Sequence, residues 1–281
     1  MAIRIITDST SDIPSERQEE LGIEIVPLSV RFGNEEYLDG VTLTKPQFFQ
    51  KLAECEELPT TAQVNPERFA KIFGKYGAED DIIGIFISGK MSGTFQSAGI
   101  AKNLLGAKNI TLIDSSSVTF GLGLLVLEAV RMRDAGRSAQ EISKAISALC
   151  SRLRLFAIID TLKYLKMGGR LSASSALFGT MLHIKPIISI IDGEVVAMEK
   201  RKGLRSAVEC VAQKVMQEEP DQAYQIVFGD SNAPELTNML KETLANEAGL
   251  AGGASFELGT VVGTHAGPGC AGIAYIAKAN E

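Results

Sequence analysis

The sequence predicts an α/β fold made of two domains, and two observations support it. Up to residue 153, short apolar runs rich in Ile and Val alternate with segments of helical periodicity, which is typical of a mostly parallel sheet with flanking helices. Farther along, Asp192-Gly193 separates two apolar runs, and an Asp-Gly pair in that position predicts an antiparallel hairpin. We therefore expect an N-terminal domain over residues 1–153, and a C-terminal domain with a mixed sheet over residues 154–281.

Within the N-terminal domain, length and periodicity distinguish strands from helices. Four apolar runs have the length and the Ile and Val content of buried strands, and they cover residues 3–6, 23–30, 82–87 and 110–113. Helical periodicity predicts helices over residues 14–21, 45–53, 66–73, 93–105, 121–135 and 139–152. Several of these helices begin near Ser, Thr, Asn or Pro, which are favoured at helix starts.

The C-terminal domain is predicted in the same way. Its expected strands cover residues 155–159, 184–191, 194–198, 224–228, 255–262 and 271–277. Its expected helical stretches cover residues 162–166, 174–182, 204–217 and 234–248. The two strands that flank Asp192-Gly193 should pair antiparallel, which makes this sheet mixed.

The composition limits the classes of function. The 281 residues are 45% hydrophobic and carry a net charge of −6, which argues against nucleic acid as the main partner because binding a phosphate backbone usually needs a basic face. The four cysteines are far apart and form no CxxC pair, so neither a zinc site nor a redox dithiol is expected. No apolar run reaches the roughly 20 residues of a membrane helix, and the chain begins with a predicted strand rather than a signal peptide. We expect a cytoplasmic protein without stable membrane insertion.

Hydroxyl-bearing side chains are concentrated in four predicted loops. These are TDSTSD (residues 7–12), PTTAQ (59–63), SGKMSGT (88–94) and DSSS (114–117). Three of them follow predicted strands, and ligands of open α/β sheets collect beyond the carboxyl ends of the strands. Ser92 precedes a predicted helix, where simple capping and anion binding are both open. The loops predict a site for one modest polar group, and no metal or cofactor is expected.

Candidate acid–base residues are few. His183 lies in an apolar run, where a packing role is favoured, whereas His265 lies in GTHAGPG, whose glycines let the backbone approach a ligand closely. Ligand contact and a structural hydrogen bond are equally open for His265. Asp8 and Asp114 each end a predicted strand, and turn capping is favoured there over metal binding or acid–base chemistry. The chain contains no GxSxG elbow, which weakens the case for a hydrolytic triad.

The charge of the chain is unevenly distributed. Residues 150–205 hold ten Lys and Arg against four acidic residues, although the whole chain is negative. Such a segment is either a solvated basic face or a docking surface for an acidic or phosphorylated partner.

Taken together, these motifs resemble the DegV family, the fatty-acid-binding proteins that serve bacterial fatty-acid kinase. The resemblance runs nearly from end to end, through TDSTSD, VPL, PTTAQ, SGKMSGTFQSA, IDSSSVTFGLGLLVLEA, DTLKYLKMGGRLS, IKPIISIIDG and GTHAGPG in that order. It implies two α/β domains with a fatty acid buried between them. One departure is TAQVNP in place of the usual TSQP, which removes a hydroxyl at Ala62.

The resemblance also implies which residues form the site. Thr61 and Ser92 would hold the fatty-acid carboxylate, and Arg201 and His265 would correspond to two further ligand-binding residues. The GGR segment at residues 168–170, with Arg170 at its end, would contact a partner protein. The basic stretch around Lys166 and Arg170 would then dock a separate kinase subunit.

The implied function is that of a carrier rather than an enzyme. The chain would bind a long-chain fatty acid such as palmitate in a buried tunnel and present its carboxylate to an ATP-using kinase subunit, in fatty-acid metabolism or lipid transport. Two alternatives stay open. One is an acyl hydrolase or transferase that uses Ser92 with His265, and the other is a regulatory protein that senses lipid.

Overall fold

In the computed structural model, which describes residues 2–173 and 183–279, the strands of the described segments form three sheets. One is a parallel sheet of four strands, one is a mixed sheet of six, and one is a small sheet of three. The α/β class, with a parallel N-terminal sheet and a mixed C-terminal sheet, is therefore confirmed. The helix predicted over residues 174–182 lies outside the described residues.

The parallel sheet has the strand order β2-β1-β6-β7. Its strands are β1 (Ile3–Asp8), β2 (Ile23–Val26), β6 (Asp81–Phe86) and β7 (Ile110–Asp114). The helices of this half are α1 (Ser15–Leu21), α2 (Lys45–Glu54), α3 (Pro66–Phe73), α4 (Thr94–Leu105), α5 (Thr119–Asp134) and α6 (Ala139–Arg152). The hydroxyl-rich loops after β1, β6 and β7 consequently share one edge of the sheet, as expected for parallel strands.

The prediction of a single strand over residues 23–30 is wrong, because this segment is divided between two sheets. The chain leaves the parallel sheet at Val26, and Pro27, which has no backbone N–H to donate, interrupts the run. The small sheet that follows has the order β4-β3-β5 and consists of β3 (Ser29–Phe32), β4 (Glu35–Leu38) and β5 (Thr60–Ala62).

The mixed sheet has the order β10-β9-β8-β13-β11-β12. Its strands are β8 (Leu153–Ile158), β9 (Ile184–Ile191), β10 (Glu194–Lys202), β11 (Val227–Ser231), β12 (Ala254–Glu257) and β13 (Cys270–Ile276). The helices α7 (Lys163–Met167), α8 (Leu204–Gln217), α9 (Pro234–Ala248) and α10 (Thr260–Ala266) belong to this half. The predicted hairpin is confirmed, because Glu194 pairs antiparallel with Ile191 across the Asp192-Gly193 turn.

The strand predicted over residues 255–262 is correct only in its first half. Val261 and Val262 belong to the helix α10, although β-branched residues are more common in strands. Two buried carboxylates from the other half of the chain accept hydrogen bonds from the first backbone amides of this helix, as described below. Tertiary contacts therefore decide the structure here.

Helix α5 lies between the parallel and the mixed sheet. It contacts β1 and β6 on one side and β8, β11 and β13 on the other, and most of its residues are buried. The largest hydrophobic cluster accordingly contains residues from both halves. The proposed domain boundary at residue 153 coincides with the start of β8, where the chain enters the mixed sheet.

Candidate functional site

A cavity of about 340 Å³ lies between the two halves of the chain. Its apolar lining includes Ile87, Met91 and Phe120 from the first half and Leu155, Ile188 and Val261 from the second. This volume is within the range of small-molecule sites, which are mostly apolar and have few polar groups. The polar side chains are the informative part of the lining, and four of them are Thr61, Ser92, Arg170 and His265.

Thr61 and His265 are joined directly by a hydrogen bond. Thr61 is the middle residue of β5 and pairs with Val30 of β3, while His265 lies in the last turn of α10. The Oγ1 atom of Thr61 is 2.9 Å from the Nε2 atom of His265. The structure thus brings together two predicted site residues that are separated by 204 positions in the chain.

Ser92 lies in the loop between β6 and α4 and also lines the cavity. Its Oγ is 2.9 Å from Oγ1 of Thr94 and accepts a hydrogen bond from the Thr94 amide. Gly93, rather than Ser92, is the N-cap of α4, so the expected capping position is displaced by one residue. Because α4 has 12 residues, its positive N-terminal end can attract an anion placed beside Ser92.

The loop of Ser92 and the strand of Thr61 lie against each other. A Cβ atom added to Gly93 would be 2.0 Å from Oε1 of Gln63, so the Gln63 side chain packs directly on this loop. The Gln63 amide also donates to Ser97 Oγ at 3.0 Å. The PTTAQ and SGKMSGT loops are therefore neighbours, a relationship that sequence spacing alone could not establish.

His265 is held in its neutral form by its surroundings. Burial lowers its pKa to about 4, and the positive charge of Arg170 contributes in the same direction. Its Nδ1 atom is buried and has no hydrogen-bond partner among the described residues. A buried N–H group without an acceptor costs more free energy than a buried nitrogen lone pair without a donor. The proton of the neutral ring therefore belongs on Nε2, which donates to Thr61, and Nδ1 carries the lone pair. The Thr61 hydroxyl can then donate its own hydrogen into the cavity.

Arg170 lines the cavity and is also exposed to solvent. Its Nε donates to the backbone oxygen of Met91 at 3.2 Å, and its NH1 donates to the backbone oxygen of Gly168 at 2.7 Å. The sequence suggested a partner-binding role for this residue. Its position beside Ser92 and His265 adds a role that the sequence reasoning missed, that of a positive charge at the polar end of the cavity.

The other two basic candidates lie elsewhere. Lys166 is exposed on α7 and does not line the cavity. Arg201 is near the end of β10, outside the cavity lining, where it forms an ion pair with Glu199. Glu199 also pairs with Lys214 at 2.6 Å. This geometry gives no support to direct contact between Arg201 and a ligand in the cavity.

The aspartates of the hydroxyl-rich loops have structural hydrogen bonds. Asp8 accepts from the amides of Thr10 and Ile87, at 2.9 Å and 2.8 Å. Asp114 accepts from the amides of Ser116 and Gly89, at 2.8 Å and 3.1 Å. These contacts agree with the favoured turn-capping interpretation. Within residues 2–173 and 183–279, no group of three or more His, Cys, Asp or Glu is placed to hold a metal ion.

Two buried aspartates anchor the start of α10, a function that the sequence reasoning did not assign. Asp12 accepts from the Gly259 amide at 2.8 Å, and Asp39 accepts from both the amide and the hydroxyl of Thr260 at 2.8 Å. Burial raises the pKa of Asp12 to about 7 and also raises the pKa of Asp39. Helix α10 is therefore held at its first turn by these aspartates and at its last turn by the bond between His265 and Thr61.

Comparison with known proteins identifies the family. The family model described as "Uncharacterised protein, DegV family" matches residues 2–278. A DegV domain-containing protein of Caldanaerobacter subterraneus is 35% identical, over 98% of this chain and 99% of the relative. The chain belongs to the DegV family. This confirms the resemblance carried by the ordered series of motifs.

Solved structures of similar proteins have the same fold. The structure of a DegV family protein from Thermus thermophilus, described by its fatty-acid binding, has a TM-score of 0.89 and 32% identity, over 99% of this chain and 100% of that chain. A stearic-acid-binding protein from Eubacterium ventriosum has a TM-score of 0.87 and 25% identity, over 99% of both chains. No helix within the described part of this chain is both long enough and apolar enough to cross a bilayer.

Proposed function

We propose that this chain binds one long-chain fatty acid, with the acyl chain in the cavity between the two sheets and the carboxylate at Thr61 and Ser92. The observation that carries the proposal is an apolar cavity whose polar end contains the hydrogen-bonded pair of Thr61 and His265. The fatty-acid binding of the Thermus relative and the stearic-acid binding of the Eubacterium relative support it.

The polar end suits a carboxylate because it offers donors without a fully buried cation. With the proton of His265 on Nε2, the Thr61 hydroxyl donates toward the ligand, and the hydroxyl of Ser92 can donate beside it. The amides at the start of α4 and the guanidinium of Arg170 add positive potential. Hydrogen bonds to a charged acceptor are worth roughly 1.5–3 kcal/mol each, which is sufficient to orient the head group.

The acyl chain supplies most of the gross binding energy. Burying each methylene contributes about 0.8 kcal/mol, so roughly 14 methylenes contribute ~11 kcal/mol before other terms are subtracted. Association and ordering cost about 4–15 kcal/mol. Tail burial therefore approximately offsets the cost of association, and the carboxylate contacts determine how much affinity remains and which end of the ligand faces solvent.

The second part of the proposal concerns delivery of the carboxylate to a kinase subunit. Arg170 both lines the cavity and is exposed, and Lys166 is exposed only four residues earlier. A partner that docks on this basic surface would be adjacent to the ligand's head group. Phosphorylation of the carboxylate by that partner would place the catalytic step outside this chain.

The alternative hydrolase or transferase requires Ser92 to be activated by His265. His265 Nε2 instead bonds Thr61, and the hydroxyl of Ser92 pairs with that of Thr94. The observed bonds therefore favour carboxylate binding over nucleophilic catalysis.

Titration with palmitate tests the binding proposal, using wild-type protein and the Thr61→Val/Ser92→Ala double variant. We expect saturable binding of one fatty acid by the wild type and a much weaker affinity in the double variant. Equal affinity in both proteins would remove these hydroxyls from the site.

The Lys166→Glu variant tests delivery to the kinase subunit. It should leave palmitate binding unchanged but reduce phosphorylation of the bound fatty acid by a fatty-acid kinase. Unchanged phosphorylation would contradict the docking surface.

A further inference from the structure

Gly168 lies directly against the ring of His265. A Cβ atom added to Gly168 would be 2.2 Å from Nδ1 and 2.8 Å from Cε1 of His265. The backbone of Gly168 has an ordinary right-handed conformation, with φ of −75°, which any residue adopts. The backbone oxygen of Tyr164 would be 3.1 Å from the same Cβ, a tight contact but a longer one. The imidazole ring is therefore the main obstacle to a side chain at position 168, and the backbone conformation is not an obstacle.

Two hydrogen bonds fix the backbone of Gly168. Its amide donates to the backbone oxygen of Tyr164 at 2.9 Å, and its own oxygen accepts from Arg170 NH1 at 2.7 Å. Arg170 in turn donates to Met91, the residue before Ser92. The turn at residues 168–170 thus joins His265 on one side to the loop of Ser92 on the other.

The ring of His265 has little room to move away from this turn. The residue is half-buried and its Nδ1 atom is fully buried. The Nδ1 edge of the ring faces Gly168, and the Nε2 edge bonds Thr61. An alanine at position 168 would require the ring to move by more than 1 Å to reach the 3.4 Å of ordinary contact. A displacement of that size would break or strain the 2.9 Å bond to Thr61.

We infer that Gly168 is a positioning residue for the fatty-acid head group. Because glycine has no side chain, the His265 ring packs against its Cα, which keeps Nε2 hydrogen-bonded to Thr61 and the Thr61 hydroxyl directed toward the ligand. This inference rests on the proposed fatty-acid function. It gives the first glycine of the GGR segment a role within the ligand site, separate from the partner contact that the sequence implied. The same turn also connects the exposed basic surface to the residues that hold the carboxylate.

The test compares Gly168→Ala with Gly169→Asn in the full chain, without any partner protein. Gly169 belongs to the same turn, but no atom of the described segments lies within 4 Å of a Cβ placed there, and asparagine tolerates its φ of +66°. In palmitate titrations we expect Gly168→Ala to raise the Kd about 10-fold, as loss of one oriented hydrogen bond would do, and Gly169→Asn to stay within about 2-fold. Wild-type affinity in Gly168→Ala would overturn the inference.

A double-mutant cycle with His265→Ala separates positioning from general packing. Once the ring is absent, adding Gly168→Ala should change the Kd by less than about 2-fold. An equal loss in both backgrounds would show that the alanine acts on the backbone and would overturn the inference. If Gly168→Ala alone does not fold, the inference requires the double variant to fold, and failure of both would also overturn it.

A readout that needs no ligand keeps this inference distinct from the proposed function. The ¹H–¹³C ring signals of His265 should shift in Gly168→Ala and not in Gly169→Asn, and unchanged signals in both would contradict the positioning role. If the wild type fails to bind palmitate, the proposed function is wrong. The ring signals still show, without any ligand, whether Gly168 positions His265.

Discussion

Replacing Thr61 with valine removes one hydroxyl while it keeps the shape of the side chain. In the free protein, the change breaks the 2.9 Å bond to His265 Nε2 and leaves both ring nitrogens without a partner among the described residues, since Nδ1 already has none. A hydrogen bond of this kind contributes about 1 kcal/mol to stability. We therefore expect the Tm of the unliganded protein to fall by about 2 °C.

The effect of Thr61→Val on ligand binding should be larger. The variant loses the donor that faces the carboxylate, and a bond to a charged acceptor is worth roughly 1.5–3 kcal/mol. At 1.4 kcal/mol for each tenfold change, the Kd for palmitate should rise roughly 10- to 150-fold. The acyl chain still provides its burial energy, so binding should be weakened and not abolished.

Isothermal titration calorimetry with palmitate measures this change, and Thr60→Val is the matched control. Thr60 precedes Thr61 on β5 and is exposed, because successive side chains of a strand point to opposite faces. The control should bind palmitate as the wild type does. Equal Kd values in Thr61→Val and Thr60→Val would refute the assignment of Thr61 to the carboxylate.

Three further changes test other parts of the site. Ser92→Ala should raise the Kd for palmitate about 10-fold in the same titration, since it removes a second donor to the carboxylate; an unchanged Kd would exclude Ser92. The pKa of His265 is about 4 in the folded chain, against an ordinary 6.5. Between pH 6.5 and pH 4 the histidine is therefore protonated in the unfolded chain but not in the folded chain, so the folded state loses stability as the pH falls through this range. Denaturant unfolding of His265→Gln at pH 7.5 and pH 4.5 should therefore show a smaller loss of stability than in the wild type, by roughly 2–3 kcal/mol, and equal losses would contradict the burial of a neutral ring. Ala157→Leu adds three carbon atoms to the cavity wall and should displace about three methylenes of the ligand. The binding free energy of palmitate should therefore weaken by about 2 kcal/mol relative to that of a fatty acid three methylenes shorter. An unchanged preference between the two ligands would place the acyl chain elsewhere.

The fold was predictable where the signals are local. The parallel strands and most helix bounds follow from periodicity. The Asp192-Gly193 turn marked the hairpin, whose two strands pair antiparallel as predicted. The strand predicted across Val261 and Val262 failed because Asp12 and Asp39 cap that segment as a helix from more than 200 positions away. No local pattern reports such contacts.

The site was only partly predictable for the same reason. The sequence marked Thr61, Ser92 and His265 as candidates, but their proximity depends on a bond across 204 positions and on the packing of Gln63 against Gly93. Arg170 was assigned to a partner because of the family resemblance of its GGR segment and the basic stretch around it, while its contact with Met91 spans 79 positions. Charge patterns identify a surface, and only the folded chain shows which cavity that surface adjoins.

Mass spectrometry of the purified protein shows directly whether the cavity holds one long-chain fatty acid. The protein would be delipidated, incubated with an equimolar mixture of saturated fatty acids and separated from free ligand. Its intact mass would be measured under native conditions, and extraction with organic solvent would then identify the bound species. We expect a mass increase of one long-chain fatty acid per chain and recovery of that species in the extract. A protein that stays at its unliganded mass after incubation would contradict it.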